Sequence, residues 1–152
     1  MCTLRAQDLD AVKRNLVGTW RLVSYIREEI PSGAKSNIMG PHPSGFLNYS
    51  SDGRMIVLYV GSDRKRPIGA VANASEAETL YRDMLSYAGT YEVKRDVIIH
   101  HVRVSWNESW TGTDQTRNYK LEGDRLSLMT TPSPDPVEGK LSVRTLVWER
   151  VK

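Results

Sequence analysis

Alternation of apolar and polar residues with a period of two dominates this chain. Such alternation is typical of β-strands that bury one face. It recurs in eight segments, several of them joined by turn sequences such as Ser51-Asp52-Gly53 and Glu122-Gly123-Asp124. The segments are residues 20–27, 45–49, 54–60, 90–94, 97–106, 116–121, 125–131 and 141–151. The pattern predicts an all-β protein, an antiparallel meander whose eight strands close into a barrel and so leave no exposed sheet edge.

Two segments have helical periodicity instead. In Ala74–Ala88 the apolar residues recur at spacings of three and four, which places them in one stripe. Gly89 follows and can end the helix. We expect this inserted amphipathic helix to pack on the barrel through Leu80 and Met84. A short N-terminal helix is predicted over Asp8–Asn15.

Composition and charge narrow the classes of function. The length of 152 residues suits a single barrel domain, residues 1–152. The net charge is +3 and the charged residues are scattered, which gives no case for nucleic-acid binding. No apolar run is long enough for a membrane helix, Met1–Asp10 has no apolar signal core, and the single Cys2 excludes an internal disulfide. We therefore expect a cytoplasmic protein with no nucleic-acid or membrane partner, and leave its oligomeric state open, a homodimer included.

Several motifs then resemble a known family. Asn15–Leu22 contains Gly-x-Trp after the short helix, and longer matches cover residues 45–55, 87–93, 100–102 and 110–126. These motifs are similar to the small cytoplasmic "lipocalin-like domain" proteins of bacteria and fungi, which are calycin-type β-barrels. The resemblance spans nearly the whole chain. It implies a lipocalin-like barrel closed at one end by Trp20, against which an arginine of the last strand packs, here Arg150; it implies no general activity.

Strand parity identifies the side chains expected inside the barrel. If Trp20, Leu22 and Leu126 face inward, Ser24 does too. At the end opposite Trp20 we predict one pocket for a small-molecule ligand, bordered by residues 64–74 and 106–112. Its predicted lining is Tyr49, Tyr59, Tyr91, His100, Trp106, Arg117 and Tyr119.

Arg117 and His100 are the candidates for chemistry. An arginine inside a barrel needs a carboxylate, several hydrogen bonds or a ligand anion. Alternatively, Arg117 lies near the rim and reaches water, or pairs with a structural acid. His100 has an ordinary pKa near working pH and could transfer protons. The alternative is a core histidine that is hydrogen-bonded to a neighbouring tyrosine.

No metal and no other cofactor is expected. His100 and His101 are neighbours on one strand, so they point to opposite faces and cannot share an ion inside the barrel. The third histidine, His42, has no cysteine or carboxylate cluster at ligand spacing. The glycine-rich nucleotide motifs and the Gly-x-Ser-x-Gly motif of serine hydrolases do not occur.

Two classes of function remain. The first is binding of a small, largely apolar oxygenated molecule inside the barrel. The second is a cofactor-free isomerase, cyclase or lyase that acts on a small carbonyl or carboxylate compound, with His100 as proton carrier and Arg117 stabilising negative charge. A cavity of a few hundred Å³ that reaches both residues would favour a site, whereas a filled barrel would favour structural roles.

Overall fold

A closed antiparallel β-barrel forms the body of the protein. The computed structural model describes residues 8–152, so Cys2 lies outside the described residues. The strands in this part of the chain are β1 (Gly18–Glu29), β2 (Lys35–Ser36), β3 (Ser44–Tyr49), β4 (Arg54–Val60), β5 (Met84–Val93), β6 (Val97–Ser105), β7 (Asp114–Glu122), β8 (Arg125–Thr130), β9 (Ser133–Pro134) and β10 (Leu141–Arg150). The eight longer strands pair in the order β1-β3-β4-β5-β6-β7-β8-β10, and pairing of β1 with β10 closes the ring. The predicted eight-stranded barrel is confirmed.

Two α-helices accompany the barrel within the described residues. The first, α1 (Leu9–Leu16), is capped by Asp8, whose side chain accepts a hydrogen bond from the amide of Asp10. It buries Val12 and Leu16. The second, α2 (Ala74–Arg82), lies between β4 and β5. In residues 8–152, no helix has the length and apolar content needed to cross a membrane.

The second half of the longer predicted helix is a strand. The helix ends at Arg82 and β5 begins at Met84, so the prediction of a helix over Ala74–Ala88 is wrong beyond Arg82. None of the residues of α2, all of which are described, is buried, so the predicted packing through Leu80 and Met84 is also wrong. Gly89 does not end a helix. It lies within β5, where a Cβ atom would overlap the backbone carbonyl of His101.

Two β-bulges change which residues face the barrel interior. In β1 the register shifts between Leu22 and Ser24, which turns Tyr25 and Arg27 inward. The predicted inward position of Ser24 is therefore wrong. In β6 the register shifts after Val102, and the expected inward direction of the residues beyond it is lost.

The closed end of the barrel is built around Trp20. Its ring is fully buried, and its Nε1 donates to the carbonyl of Leu16 at 2.9 Å, which ties the helix α1 to β1. The Arg150 guanidinium lies 4.4 Å from the Trp20 ring centroid and donates to the carbonyls of Val17 and Asn15. The predicted contact between Trp20 and Arg150 is confirmed.

Candidate functional site

A small cavity lies inside the barrel, towards the end opposite Trp20. Its volume is about 30 Å³, which is room for about two water molecules. Ligand sites usually have roughly 300 Å³ or more. Trp110, in the short 3-10 helix after β6, and Pro136, in the loop between β9 and β10, contribute to its lining. As it stands the barrel is nearly filled, and any ligand larger than water must displace the segments that cover the cavity.

Three of the predicted site residues line this cavity, namely Tyr59, His100 and Arg117. Tyr59 comes from β4, and its side chain is 5% exposed. His100 comes from β6 and is 2% exposed. Arg117 comes from β7, where it pairs with Ile98 of β6. Neighbouring strands of the barrel therefore bring these side chains together.

The other four predicted residues lie elsewhere. Tyr49 is fully buried and hydrogen-bonds to His100 but does not itself line the cavity. The Tyr91 hydroxyl donates to the carbonyl of Ser50 at 2.8 Å. The Tyr119 hydroxyl donates to the carbonyls of Lys94 and Arg95, both at 3.1 Å, and so supports the turn between β5 and β6.

Trp106 is also outside the cavity lining. It follows the bulge in β6 and packs against Trp110 and Tyr81, with ring centroids 5.1 and 6.4 Å away. On the same side of the bulge Val104, which has the same parity as His100 and Trp106, is 62% exposed. The extra residue in the strand explains both positions.

Five polar or aromatic residues that line the cavity were not predicted from the sequence: Tyr25, Tyr87, Thr130, Arg144 and Trp148. Tyr25 was not predicted because the bulge in β1, which lies before it, reverses the parity of the strand. Tyr87 was not predicted because it fell within the predicted helix. The alternation typical of a strand is nevertheless present there, in Leu85, Tyr87, Gly89, Tyr91 and Val93. Arg144 carried a usable signal, since it shares the parity of Leu146 and Trp148 in the last strand.

His100 is held between two tyrosines. Its Nε2 lies 2.7 Å from the Tyr49 hydroxyl oxygen, and its Nδ1 lies 2.7 Å from that of Tyr87. Burial lowers the pKa of His100 to about 3, and the positive charge of Arg117 adds to this effect. This lowered pKa argues against His100 as a proton carrier near neutral pH. The hydrogen bonds are those of the alternative, a core histidine bound to tyrosine.

Two guanidinium groups face the cavity without a carboxylate. Arg117 donates to the carbonyl of Thr116 at 3.1 Å and to Oε1 of Gln115 at 3.5 Å. Arg144 is 5% exposed and donates to the Ser133 carbonyl and to the hydroxyls of Ser133 and Ser142. Among the described residues, no acidic side chain lines the cavity. Burial lowers the pKa of Arg144, and the charge of Arg117 contributes to that lowering, so the two cations repel each other.

Uncharged hydrogen-bond donors line the cavity beside the two guanidinium groups. Burial raises the pKa of Tyr25 to about 12 and that of Tyr59 well above its ordinary value, so both phenols keep their protons. The buried Nε1 of Trp148 has no hydrogen-bond partner within residues 8–152. Such donors favour an acceptor, so the chemistry of the cavity suits an oxygen that carries negative charge.

The loop between β9 and β10 covers the cavity and is held by a buried ion pair. Asp135 has a fully buried side chain that lies 3.1 Å from the Arg27 guanidinium. It also accepts hydrogen bonds from the amides of Val137, Glu138 and Lys140. Pro136 lines the cavity on one side of the loop. The loop is therefore held by local hydrogen bonds and by one arginine from β1.

On its other side the same loop borders an outer groove. Val137 lines this groove at one edge; the groove has a volume of about 710 Å³ and lies mainly between residues 62–68 and α2. Ile38 and Leu80 supply apolar surface, and the charged residues of the lining have both signs: Asp63, Arg64, Lys65, Arg66, Glu76, Arg82 and Asp83. Pro136 thus contacts the cavity and the next residue, Val137, contacts the groove.

One family model matches most of this chain. The family model of the lipocalin-like domain matches residues 17–151. Among curated proteins, no match is found. Among solved structures, the crystal structure of an uncharacterized protein from Bacteroides eggerthii DSM 20697 is 16% identical, with a TM-score of 0.44. The match covers 90% of this chain and 99% of that chain.

Proposed function

The chain belongs to the lipocalin-like domain family, and from its barrel and cavity we propose that it binds a small, largely apolar molecule that carries an acidic oxygen. The observation that carries this proposal is the pair of cavity-lining arginines, Arg117 and Arg144, without a carboxylate partner. Arg144 is buried and Arg117 is half-buried, and two like charges that are partly removed from water are costly. A bound carboxylate or enolate would neutralise part of that charge and accept charge-assisted hydrogen bonds.

The apolar part of the ligand needs more room than the cavity offers. We propose that residues 135–137 move aside and that the ligand extends from the cavity into the groove beside α2. In the cavity the acidic oxygen would lie against Arg117. In the groove, apolar side chains such as Ile38, Leu80 and Val137 would contact the rest of the molecule. Movement of a loop on ligand binding is common in enclosed sites.

Binding is favoured over the isomerase, cyclase or lyase alternative. That alternative needs a group that exchanges a proton near neutral pH. His100, with a pKa of about 3, stays neutral there, and both of its ring nitrogens are occupied by tyrosines. A cytoplasmic location and a single domain over residues 1–152 are retained as proposals that rest on the sequence.

The direct test compares acids with their neutral amides. Calorimetric titrations would use octanoate against octanamide and 3-phenylpropanoate against 3-phenylpropanamide. We expect each acid to bind at least about tenfold more tightly than its amide, because a charged hydrogen bond contributes roughly 1.5–3 kcal/mol. Equal affinities for acid and amide, or no binding of either below millimolar concentration, would contradict the proposal.

Arg117→Gln is the matching variant, and Arg103→Gln is its control. Arg103 is exposed on the same sheet, in β6, so its loss changes the net charge by the same amount away from the cavity. We expect Arg117→Gln to remove most of the preference for acid over amide, and Arg103→Gln to preserve it. A thermal melt of each variant checks that the barrel remains folded.

A further inference from the structure

Three buried side chains form a hydrogen-bonded chain that ends at the cavity. Tyr49 is fully buried, and its hydroxyl lies 2.7 Å from Nε2 of His100. Nδ1 of the same ring lies 2.7 Å from the hydroxyl of Tyr87. Tyr87 lines the cavity and Tyr49 does not. Tyr49, at one end of this hydrogen-bonded series, does not reach the cavity. Tyr87, at the other end, can contact a ligand there.

The direction of these hydrogen bonds follows from which of the three side chains can donate a proton and which can accept one. A neutral imidazole has one N–H donor and one bare nitrogen acceptor. His100 Nε2 is the hydrogen-bond partner found for the Tyr49 hydroxyl within residues 8–152. The Tyr49 proton thus finds an acceptor when Nε2 is bare, which places the imidazole proton on Nδ1. The reverse direction would leave a buried O–H group without an acceptor, and such groups are rare because they are costly.

Tyr87 is then left with a proton to donate. With the proton on Nδ1, the Tyr87 oxygen accepts from His100. Burial raises the pKa of Tyr87, and the positive charge of Arg117 limits that rise. Arg117 and the protonated Nδ1 are both donors, so neither can accept the Tyr87 proton. That proton is available to an acceptor in the cavity that Tyr87 lines.

We propose that Tyr87 donates a hydrogen bond to the acidic oxygen of the ligand, beside Arg117, and that Tyr49 and His100 are positioning residues that hold Tyr87 in the donor role. This inference rests on the proposed function. It adds a specificity-determining residue that contacts the ligand and two residues that act through it. The ligand group it selects is a carboxylate or enolate oxygen.

The first experiment determines, without any ligand, which way the hydrogen bonds between Tyr49, His100 and Tyr87 run. Long-range ¹H–¹⁵N NMR spectra of histidine side chains distinguish a proton on Nδ1 from one on Nε2. The spectrum of His100→Gln identifies the His100 signals by their loss, since the chain has three histidines. We expect the proton on Nδ1. A proton on Nε2 in the wild type overturns the inference.

The second experiment measures affinity for 3-phenylpropanoate by calorimetry. We expect Tyr87→Phe to weaken binding about 10- to 100-fold, because it removes one charge-assisted hydrogen bond and keeps the ring. Tyr49→Phe should weaken binding less and should reduce the preference for a proton on Nδ1. Tyr81→Phe, on the exposed face of α2, is the control and should bind like the wild type.

The outcomes separate this inference from the proposed function. If Arg117→Gln weakens binding and Tyr87→Phe does not, the role of Tyr87 is wrong while acid binding stands. If the wild type binds neither 3-phenylpropanoate nor octanoate, the proposed function fails and the ligand role of Tyr87 fails with it. If Tyr49→Phe leaves both the affinity and the position of the imidazole proton unchanged, Tyr49 does not position the chain.

Discussion

Replacing Asp135 with asparagine tests whether the buried ion pair holds the loop over the cavity. The Asp135 side chain is fully buried, and that of Arg27 is 4% exposed. Asparagine keeps the shape and one carbonyl oxygen, which can still accept from the amides of Val137 and Glu138. It loses the second acceptor oxygen, which serves the amide of Lys140 at 3.0 Å and the Arg27 guanidinium at 3.1 Å. The substitution therefore removes a charge and two hydrogen bonds with little change in volume.

The size of the effect depends on what remains around Arg27. Breaking a buried ion pair costs about 3–5 kcal/mol when it leaves the partner uncompensated. Arg27 still pairs with Glu138 at 2.7 Å and with Glu29 at 3.1 Å, so its charge stays partly neutralised. We expect Asp135→Asn to lower the free energy of unfolding by roughly 2–3 kcal/mol. Glu138→Gln is the control, because Glu138 pairs with the same arginine but is half exposed, and its loss should be clearly smaller.

The pH dependence of this difference has a definite sign. Burial alone would raise the pKa of Asp135, but the amides of Glu138, Val137 and Lys140 and the charge of Arg27 outweigh it and lower the pKa below its ordinary value. The unfolded chain therefore takes up the proton first as the pH falls. The stabilisation by Asp135 is full above about pH 4 and is lost as the pH falls through the folded-state pKa. The difference between wild type and Asp135→Asn should narrow from pH 6 to pH 3.

Urea unfolding, followed by tryptophan fluorescence at several pH values, measures these differences. The same variant should bind 3-phenylpropanoate with a faster association rate in stopped-flow experiments, because the loop that covers the cavity is less firmly held. A free energy of unfolding equal to that of the wild type at pH 7 would refute the reasoning on stability. An unchanged association rate in a destabilised variant would show that residues 135–137 do not limit entry.

The other predictions concern Trp20 and Arg150 at the closed end of the barrel, and His100 and His101 of β6. Trp20→Ala should lower the free energy of unfolding by about 3–5 kcal/mol, and Arg150→Lys should have a smaller effect; an unchanged urea midpoint for Trp20→Ala would contradict the burial of the ring. Burial lowers the pKa of His100 to about 3, so its ¹⁵N signals should not titrate between pH 5 and 8. The unfolded chain takes up a proton at this histidine first, so His100 should lower the free energy of unfolding as the pH falls below about 6.5. The Asp114 carboxylate, 2.6 Å from Nδ1 of His101, raises the pKa of His101, so the stabilisation by His101 is full below about pH 6.5 and is lost as the pH rises through the raised pKa. The difference in stability between wild type and His101→Gln should therefore be largest near pH 6 and disappear near pH 9; a difference that grows with pH would contradict this sign.

The sequence alone determined the barrel and its closed end. Alternation with a period of two marks a half-buried strand locally, and short turns such as Ser51-Asp52-Gly53 join strands that are neighbours both in sequence and in space. These signals need no knowledge of distant residues. The contact between Trp20 and Arg150 followed from the family resemblance and from their places near the ends of the first and last strands.

Tertiary structure decided the parity of the strands beyond each bulge. One extra residue in β1 turned Tyr25 inward and Ser24 away, and one in β6 carried Trp106 out of the cavity lining. The side-chain period is two, so an insertion of one residue moves every later side chain to the other face. Nothing in the local pattern marks where the partner strand requires that shift.

The segment after Arg82 shows the same limit most clearly. Residues 83–88 fit both a helical stripe and a strand, and local propensity favours neither. Pairing of β5 with β4 and β6 settles the conflict, because it satisfies the backbone groups along both edges of the segment and buries Leu85 and Tyr87. That choice put Tyr87 beside His100 and Arg117, and it depends on strands up to about thirty residues away in sequence. The candidate site is therefore a product of strand register, which long-range hydrogen bonding sets and a local hydrophobic pattern cannot encode.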